Sequence, residues 1–445
     1  MKFPQTPPDW QEVMDQLIQE GKTRDFFQFG QTENLRIDRY PHWDDFRHRS
    51  GIKGSLTVEQ QWAVIRMGRE FQSQAIPLND LQGKPFTFFL TQQAFEILHE
   101  IDLHCGGGIA VAEGGVIQKD TRDRYYIDSI TEEALTSSQL EGAVVTRSEA
   151  RDMIRSQRPP ASDHERMVIN NYRTMRLLSE LKSEKLTPEL ILRLHREVTA
   201  GTLKDSDDEG QFRKPESNVR IEDEESGEIF HTPPPAGQLV ERISQLCDFA
   251  NQPGMNGFLH PVIRSVLLHF WIAYDRPFVD GNGRTARALF YWSMLRHGFW
   301  LAEFFSISHE ILKAPKQYYC AFLHTETDGN DLNYFIHHQL DVIRASILSL
   351  QDYIRRKQAE IETLRSHLRA GSDFNHRQLA LLKHALKHPF SAYTVVSHQS
   401  SHAVSSQTAK YDLSTLEVKG LLRRGKIGKA FVYRPAPDLS RLLGA

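Results

Sequence analysis

The stretch Arg276-Pro277-Phe278-Val279-Asp280-Gly281-Asn282-Gly283-Arg284-Thr285-Ala286-Arg287 decides how this chain is read. An apolar helical run, VLLHFWIAY (266–274), precedes it, and a second, ALFYWSML (288–295), follows it. Asp-Gly-Asn-Gly is therefore expected to be a tight loop between two helices. Its glycines let backbone N–H groups converge at the start of the second helix, an anion cradle of oriented amides and a helix N-terminus. Arg284 and Arg287 lie three apart on the first turn of that helix, within reach of a polyphosphate. Asp280 is a carboxylate beside the cradle, suited to holding Mg²⁺ between phosphate oxygens. Gly-Asn-Gly alone reads as well as a plain turn with two solvated arginines. The whole string between two helices is far more specific.

Around this loop the pattern is helical. Thr91 is placed to cap a helix through Glu100, with Phe95, Leu98 and Ile101 on one face. Gly106–Gly108 breaks it. Tyr126 to Gly142 reads as a second helix with Ile127, Ile130, Ala134 and Leu140 facing inward. Further helices are expected at 163–184, 187–200, 236–251, 259–275, 284–298, 308–324 and 331–368. Asn218–Thr232 alternates instead, with an acidic turn at Glu222–Gly227, and reads as a β-hairpin stopped by Pro233–Pro235. Residues 1–85 show weak periodicity and read as irregular and partly helical.

The loop string resembles the signature of the Fic (Fido) family, His-x-Phe-x-Asp/Glu-Gly-Asn-Gly-Arg-x-x-Arg. The resemblance covers roughly residues 90–345 and extends to Gly210-Gln211-Phe212-Arg213 and the hairpin, which is similar to the family's flap. It implies a mainly α fold, a Fic helical core with a β-hairpin flap. It also implies transfer of AMP from ATP, with Mg²⁺, to a Ser, Thr or Tyr hydroxyl of a protein substrate. Under that resemblance Phe278, Gly281, Asn282, Gly283, Arg284 and Arg287 are nucleotide-binding positions, Asp280 binds the metal, and Arg276, Asp280 and Arg284 are the catalytic set. The hairpin aligns the target segment by strand addition.

One departure stands out. Arg276 occupies the family's His position. That His takes the proton of the attacking hydroxyl, a task that suits imidazole because it titrates near neutrality. A guanidinium stays protonated and cannot act as that base. Transfer is thus expected to be impaired while nucleotide binding survives.

Ser137-Ser138-Gln139-Leu140-Glu141-Gly142 matches the family's Ser/Thr-x-x-x-Glu-Gly/Asn inhibitory-helix motif, upstream of the core. Ser137 and Glu141, four apart, share a face, and the plainer reading is a solvated helix end. The resemblance implies that Glu141 competes with the γ-phosphate for Arg287.

The last segment differs in charge. Residues 373–445 hold eleven Lys and Arg against four Asp and Glu, a surplus of seven positive charges, whereas the remainder carries a surplus of ten negative ones. Helices at 375–387, 393–398 and 405–419, then the alternation Ala430-Phe431-Val432-Tyr433, resemble a winged helix-turn-helix. Gln407, Thr408, Lys410 and Tyr411 are its groove-facing candidates, with Lys426 and Lys429 on the wing. Protein contact is as open a use for this module as DNA contact. The expected organisation is an N-terminal region (1–89), the Fic domain (90–345, inhibitory helix 126–142, flap 218–232), a connecting helix (346–372) and the winged helix (373–445).

Over 445 residues the net charge is −3, with 40% hydrophobic and 25% charged residues, a globular balance that excludes a disordered or fibrous chain. No apolar run reaches the roughly 18 residues of a membrane helix, and no signal peptide is expected at MKFPQTPPDWQEV. Cys105, Cys247 and Cys320 form no disulfide framework, as in a cytoplasmic protein, and are expected to be buried thiols. The twenty histidines show no ligand spacing. The competing function class is a non-enzymatic nucleotide-sensing or DNA-binding regulator, and a homodimer is left open.

Overall fold

The computed structural model describes residues 2–33, 40–49, 55–105, 122–222, 227–252, 257–367, 374–388, 391–427 and 430–443. The N-terminal region holds α1 (Trp10–Gln19), α2 (Thr23–Glu33), α3 (Trp43–Arg49) and α4 (Val58–Gln72). The first three pack on α4 around Leu17, Phe26, Trp43 and Trp62. These helices are short and carry few, large anchors, which is why their periodicity is weak. Thr57 and Gln60 close a capping box at the head of α4. An antiparallel hairpin follows, β1 (Gln74–Asn79) and β2 (Pro85–Phe88). Its turn is tied by Asp80, whose Oδ1 accepts the N–H groups of Gln82 and Lys84.

Thr91 does cap α5 (Gln92–Cys105), its Oγ1 accepting from the Ala94 N–H at 3.1 Å. Leu98 and Ile101 are buried as expected, but Phe95 is 54% exposed. The buried stripe runs Ala94, Ile97, Leu98, Ile101, the same helical spacing rotated off Phe95. The break at 106–108 lies outside the described residues. In α6 (Arg122–Leu140), Ile127, Ile130 and Ala134 are buried, while Leu140 is only half-buried and Leu135 takes the inward place. A helix absent from the sequence reading, α7 (Arg147–Ser156), starts at a Thr146/Glu149 capping box. Next come α8 (Asp163–Leu181), α9 (Pro188–Thr199) and the hairpin β3 (Ile221–Glu222) with β4 (Ile229–His231). The hairpin is shorter than the alternation from Val219 predicts, and its turn at 223–226 lies outside the described residues.

The central helices are α10 (Leu239–Asn251), α11 (Pro261–Asp275) and α12 (Asn282–Arg296). The helix expected over 308–324 is two, α13 (Ile307–Lys313) and α14 (Pro315–Thr327), because Pro315 has no N–H to continue the first and instead opens the second. Then follow α15 (Asn333–His367), α16 (His376–Lys387), α17 (Val395–His402), α18 (Ser406–Val418), β5 (Leu422–Ile427), β6 (Ala430–Pro435) and α19 (Leu439–Leu443). Asn375, Thr394 and Ser405 cap α16, α17 and α18 through their side chains. Val418, at the end of α18, is 87% exposed. The domain boundary expected at 371–372 and Lys429 fall outside the described residues.

The fold is mainly helical, and it forms two units, each assembled from discontinuous stretches. One comprises Met1–His104, Leu178–Phe299 and Glu310–Arg344; the other comprises Cys105–Leu177, Trp300–His309 and Ala345–Ala445. In the first, α11 and α12 are paired along their length and α9 lies beside α12. Phe270, Trp271, Phe290 and Trp292 are buried there, as core rather than as a cofactor box. In the second, α6 packs on α7 and α17 on both, while α16, α18 and the β5–β6 ribbon close around Leu382, Leu413 and Leu416. Of the three free cysteines, Cys105 and Cys247 are buried, but Cys320 is half-buried, contrary to expectation, because it lines a surface hollow beside His324 and Tyr334.

Candidate functional site

α11 ends at Arg276, which takes the left-handed conformation (φ 41°, ψ 60°) and returns its N–H to the Ile272 carbonyl. The last carbonyls of α11 need partners, and two side chains from outside supply them. Arg213, from the Gly210–Arg213 segment, is buried and donates Nε–H to the Arg276 carbonyl at 2.8 Å, while its N–H reaches the Pro277 carbonyl at 2.8 Å. His231, on β4, donates from Nε2 to the Tyr274 carbonyl at 2.7 Å, and its Nδ1 lies 2.8 Å from Glu326 Oε2. The flap strand is thereby pinned to the helix end. Beneath it the Asp275 carboxylate is fully buried and held by Arg242 Nη2 at 2.6 Å and Trp271 Nε1 at 3.0 Å. Burial raises its pKa against the opposing pull of Arg242.

The loop itself is held by Asn282. Its Oδ1 accepts the Phe278 N–H at 3.0 Å and its Nδ2 donates to the Phe278 carbonyl at 2.8 Å, so one side chain closes the turn on both sides. Phe278 was expected among the nucleotide contacts. Its ring is instead enclosed, stacked on His195 at 3.7 Å and on Phe212 at 5.7 Å, and both its backbone groups are engaged by Asn282. It positions the loop.

His195 is a residue the sequence reading missed. It lies on α9, is fully buried, and bridges two backbones. Nδ1 accepts the Gly210 N–H at 3.0 Å, so the ring proton is on Nε2, which donates to the Asp280 carbonyl at 3.0 Å. Burial pushes its pKa down to about 4, keeping the imidazole neutral. Both of its nitrogens are committed to backbone groups.

Gly281 is the N-cap of α12 at φ 76°, with no side-chain cap. A Cβ there would stand 2.6 Å from Thr199 Cγ2 and 3.2 Å from His195 Nε2, so only glycine fits. The Thr285 N–H already returns to the Gly281 carbonyl, while the N–H groups of Asn282 and Gly283 have no partner among the described residues. The tight turn expected between two helices is present, and a 15-residue helix starts from it with these two donors, unpartnered among the described residues, at its positive end. The Asp280 carboxylate is 61% exposed beside it; Oδ1 accepts the Gly281 N–H at 2.6 Å and Oδ2 lies 3.5 Å from Arg284 Nη2. Arg284 is buried and donates Nη1–H to the Val198 carbonyl at 2.9 Å; Arg287 is buried as well.

In the second unit, α6 ends in a tight reverse turn. The Ala143 N–H returns to the Ser138 carbonyl, with Gly142 left-handed at φ 86°. Ser137 is buried and Glu141 half-buried at that end. The helix is fixed by polar contacts: Asn171 Nδ2 donates to Ser138 Oγ at 2.8 Å, and buried Glu133 accepts from Ser308 Oγ and N–H.

Residues 185–294, which span α9 through most of α12, match the model of the Fic/DOC family. That segment is similar to a Fic domain. The protein adenylyltransferase Fic of Drosophila willistoni is 28% identical over 165 residues, covering 36% of this chain and 31% of that protein. The protein of the same description from Nematostella vectensis is 33% identical over 122 residues, 26% of this chain and 25% of that one. The chain thus spans less than a third of either relative. Among solved structures, a Fic family protein from Desulfovibrio desulfuricans is similar at a TM-score of 0.44 and 17% identity, covering 77% of this chain and 94% of that one. The Fic match contains His195, Arg213, His231 and the whole Arg276–Arg287 string. Among the described residues no group of three or more His, Cys, Asp or Glu could hold a metal on its own, and no helix is long and apolar enough to cross a membrane.

Proposed function

We propose that the Fic domain binds ATP at the α11–α12 loop and is an adenylyltransferase scaffold, directed at a hydroxyl of a protein substrate, whose transfer step is impaired by Arg276. The observation that carries this reading is the first turn of α12, where two backbone donors have no partner among the described residues and an exposed carboxylate stands beside them. Such a turn takes the phosphates, and Arg284 lies at the same end to offset their charge. The exposed Asp280 carboxylate suits Mg²⁺, which is commonly held by one or two carboxylates together with substrate phosphates. When bound, that ion neutralises charge on the phosphate oxygens. Asn282 and His195 keep the donors pre-oriented, so no reorganisation is needed on binding. Arg276 supplies a permanent positive charge where a proton acceptor is needed, so it binds anion but takes no proton. Glu141 restrains ATP binding as an inhibitory carboxylate at the end of α6. Transfer of labelled AMP by the chain and by its Arg276→His variant, with ATP binding by calorimetry, tests this. ATP binding by neither protein would sink it.

A second reading is favoured by the 374–443 segment: this module contacts DNA and the chain regulates transcription. The observation is a set of exposed polar and basic side chains, with Gln407, Lys410 and Tyr411 exposed on α18, Thr408 half-buried among them, and Arg423, Arg424 and Lys426 exposed on β5. A recognition helix with a basic wing is the arrangement that suits a major groove. A salt-dependent mobility shift of duplex DNA by the full chain supports it, and no shift at low salt removes it.

A further inference from the structure

A cavity of about 670 Å³ opens in the second unit, bounded by α6, α7, the first part of α8 and α17. That volume lies in the range of small-molecule sites, roughly 300–1,000 Å³. Ile127, Met153, Ile154 and Ile169 give it an apolar lining, and the rings of Tyr126 and Tyr172 add flat aromatic wall. Arg158, Arg173 and Arg176 also line it, and no Asp or Glu does. Arg158 is occupied by Glu165, at 2.5 Å. Arg173 has no ion pair among the described residues, and Arg176 faces the Tyr172 hydroxyl. Both guanidinium-bearing residues are exposed, so apolar stems cover the cavity while their charges stand at its mouth.

The backbone is also unusual here. Four described non-glycine residues have positive φ: Gln157, Arg276, Asn330 and Ala403. Two of them, Gln157 at the end of α7 and Ala403 at the end of α17, line this cavity. Neither is a glycine or asparagine, the residues that adopt this conformation readily. Such strain gathers at ligand clamps and switch regions, where surrounding structure holds it in place.

We propose that this cavity is a binding site for a small organic anion with an apolar, aromatic body, its acid group held by Arg173 and Arg176 and its body between Tyr126, Tyr172 and the isoleucines. The body is selected by the lining, and the sign of the charge by Arg173 and Arg176, since Glu165 already neutralises Arg158. The ligand also touches Gln399 on α17 and Ala403 at the turn that leads into α18, so occupancy bears on the helix whose exposed face carries Lys410 and Tyr411. The site is independent of the α11–α12 loop, and its failure leaves the nucleotide reading intact.

The probe is 2-naphthalenesulfonate, titrated calorimetrically into the full-length chain beside neutral 2-naphthol. Saturable one-to-one binding is expected for the sulfonate and at least tenfold weaker binding for the naphthol. The Arg173→Glu/Arg176→Glu variant, altered only at exposed positions, should lose at least tenfold for the sulfonate with an unchanged melting temperature. Ile169→Trp, which fills the cavity, should weaken both compounds. No saturable sulfonate binding, or equal sulfonate affinity in the charge-reversed variant, overturns the proposal.

Discussion

His195 Nε2 donates to the Asp280 carbonyl across 3.0 Å, and so a neutral imidazole from α9 sets the position of the loop that precedes α12. The ring also stacks on Phe278 with its plane 3° away. Loop and pillar are therefore one object, and damage to either should reach the other.

The first prediction concerns acid. An imidazole titrates near 6.5 when unfolded, whereas burial holds His195 at about 4 in the fold. Between these values the unfolded chain binds the extra proton, so stability rises with pH and falls as pH drops from about 7 toward 4. A shift of this size corresponds to about 3 kcal/mol fully developed below pH 4. His337 and His338, also lowered to about 4 by burial, act in the same direction. Urea midpoints measured between pH 7 and 5 should fall steadily, and less steeply in His195→Gln. An unchanged slope in that variant would show that His195 is already charged in the fold.

Gly281→Ala should be severe. The left-handed conformation costs an alanine roughly 1–2 kcal/mol, and the new methyl would meet Thr199 Cγ2 at 2.6 Å. A total near 2–4 kcal/mol is expected, as for overpacking in a tight core, with loss of ATP binding. Thr199→Ser removes the clashing methyl and keeps the hydroxyl that donates to the His195 carbonyl. The double variant should recover part of the loss in a thermal melt. No recovery would place the conflict elsewhere.

Asp412 organises the C-terminal module. Its buried carboxylate receives Arg377 Nε at 2.5 Å, Asn375 Nδ2 at 2.7 Å and His398 Nε2 at 3.2 Å. Burial pushes its pKa up, but these donors outweigh it and hold the carboxyl well below the usual range. Its contribution is therefore present above about pH 4 and is lost as pH falls further. Asp412→Ala leaves a half-buried guanidinium unpaired and should cost about 3–5 kcal/mol. Hydrogen exchange should rise across α16, α17 and α18. Unaltered protection there would mean that the carboxylate is not what joins them.

How far the sequence carried this depends on whether a contact is local. The α11–α12 loop was legible because Asp-Gly-Asn-Gly between two apolar runs is a pattern within a dozen residues. Thr91 was legible as a cap for the same reason. His195 sits in ILRLHREV, where it looks like any helix residue. Its partners are the backbone groups of Gly210 and Asp280, which leave no trace in side-chain type. The contacts of Arg213 and His231 were hidden likewise, since each serves carbonyls at the end of α11. The β1–β2 hairpin was missed because Pro77 interrupts the alternation of its first strand. For α7 a usable signal existed, the Thr-x-x-Glu capping box at Thr146.

The backbone at position 276 argues for what should happen there. Arg276 holds φ 41° and ψ 60°, a region that non-glycine residues visit uncommonly and that histidine visits several-fold more often. Arg276→His should thus be accepted by the fold without loss of melting temperature. It places a group that titrates near neutrality where a guanidinium now stands, and restoring a general base is worth on the order of 10²–10⁴-fold in rate. Combined with Glu141→Gly, which removes the carboxylate proposed to restrain ATP binding, it should give readily detected AMP transfer from labelled ATP to the chain itself or to lysate proteins. Glu141→Gly alone should tighten ATP binding with little transfer, because the base is still missing. If the double variant binds ATP but labels nothing, the chain is a nucleotide sensor rather than a disabled transferase.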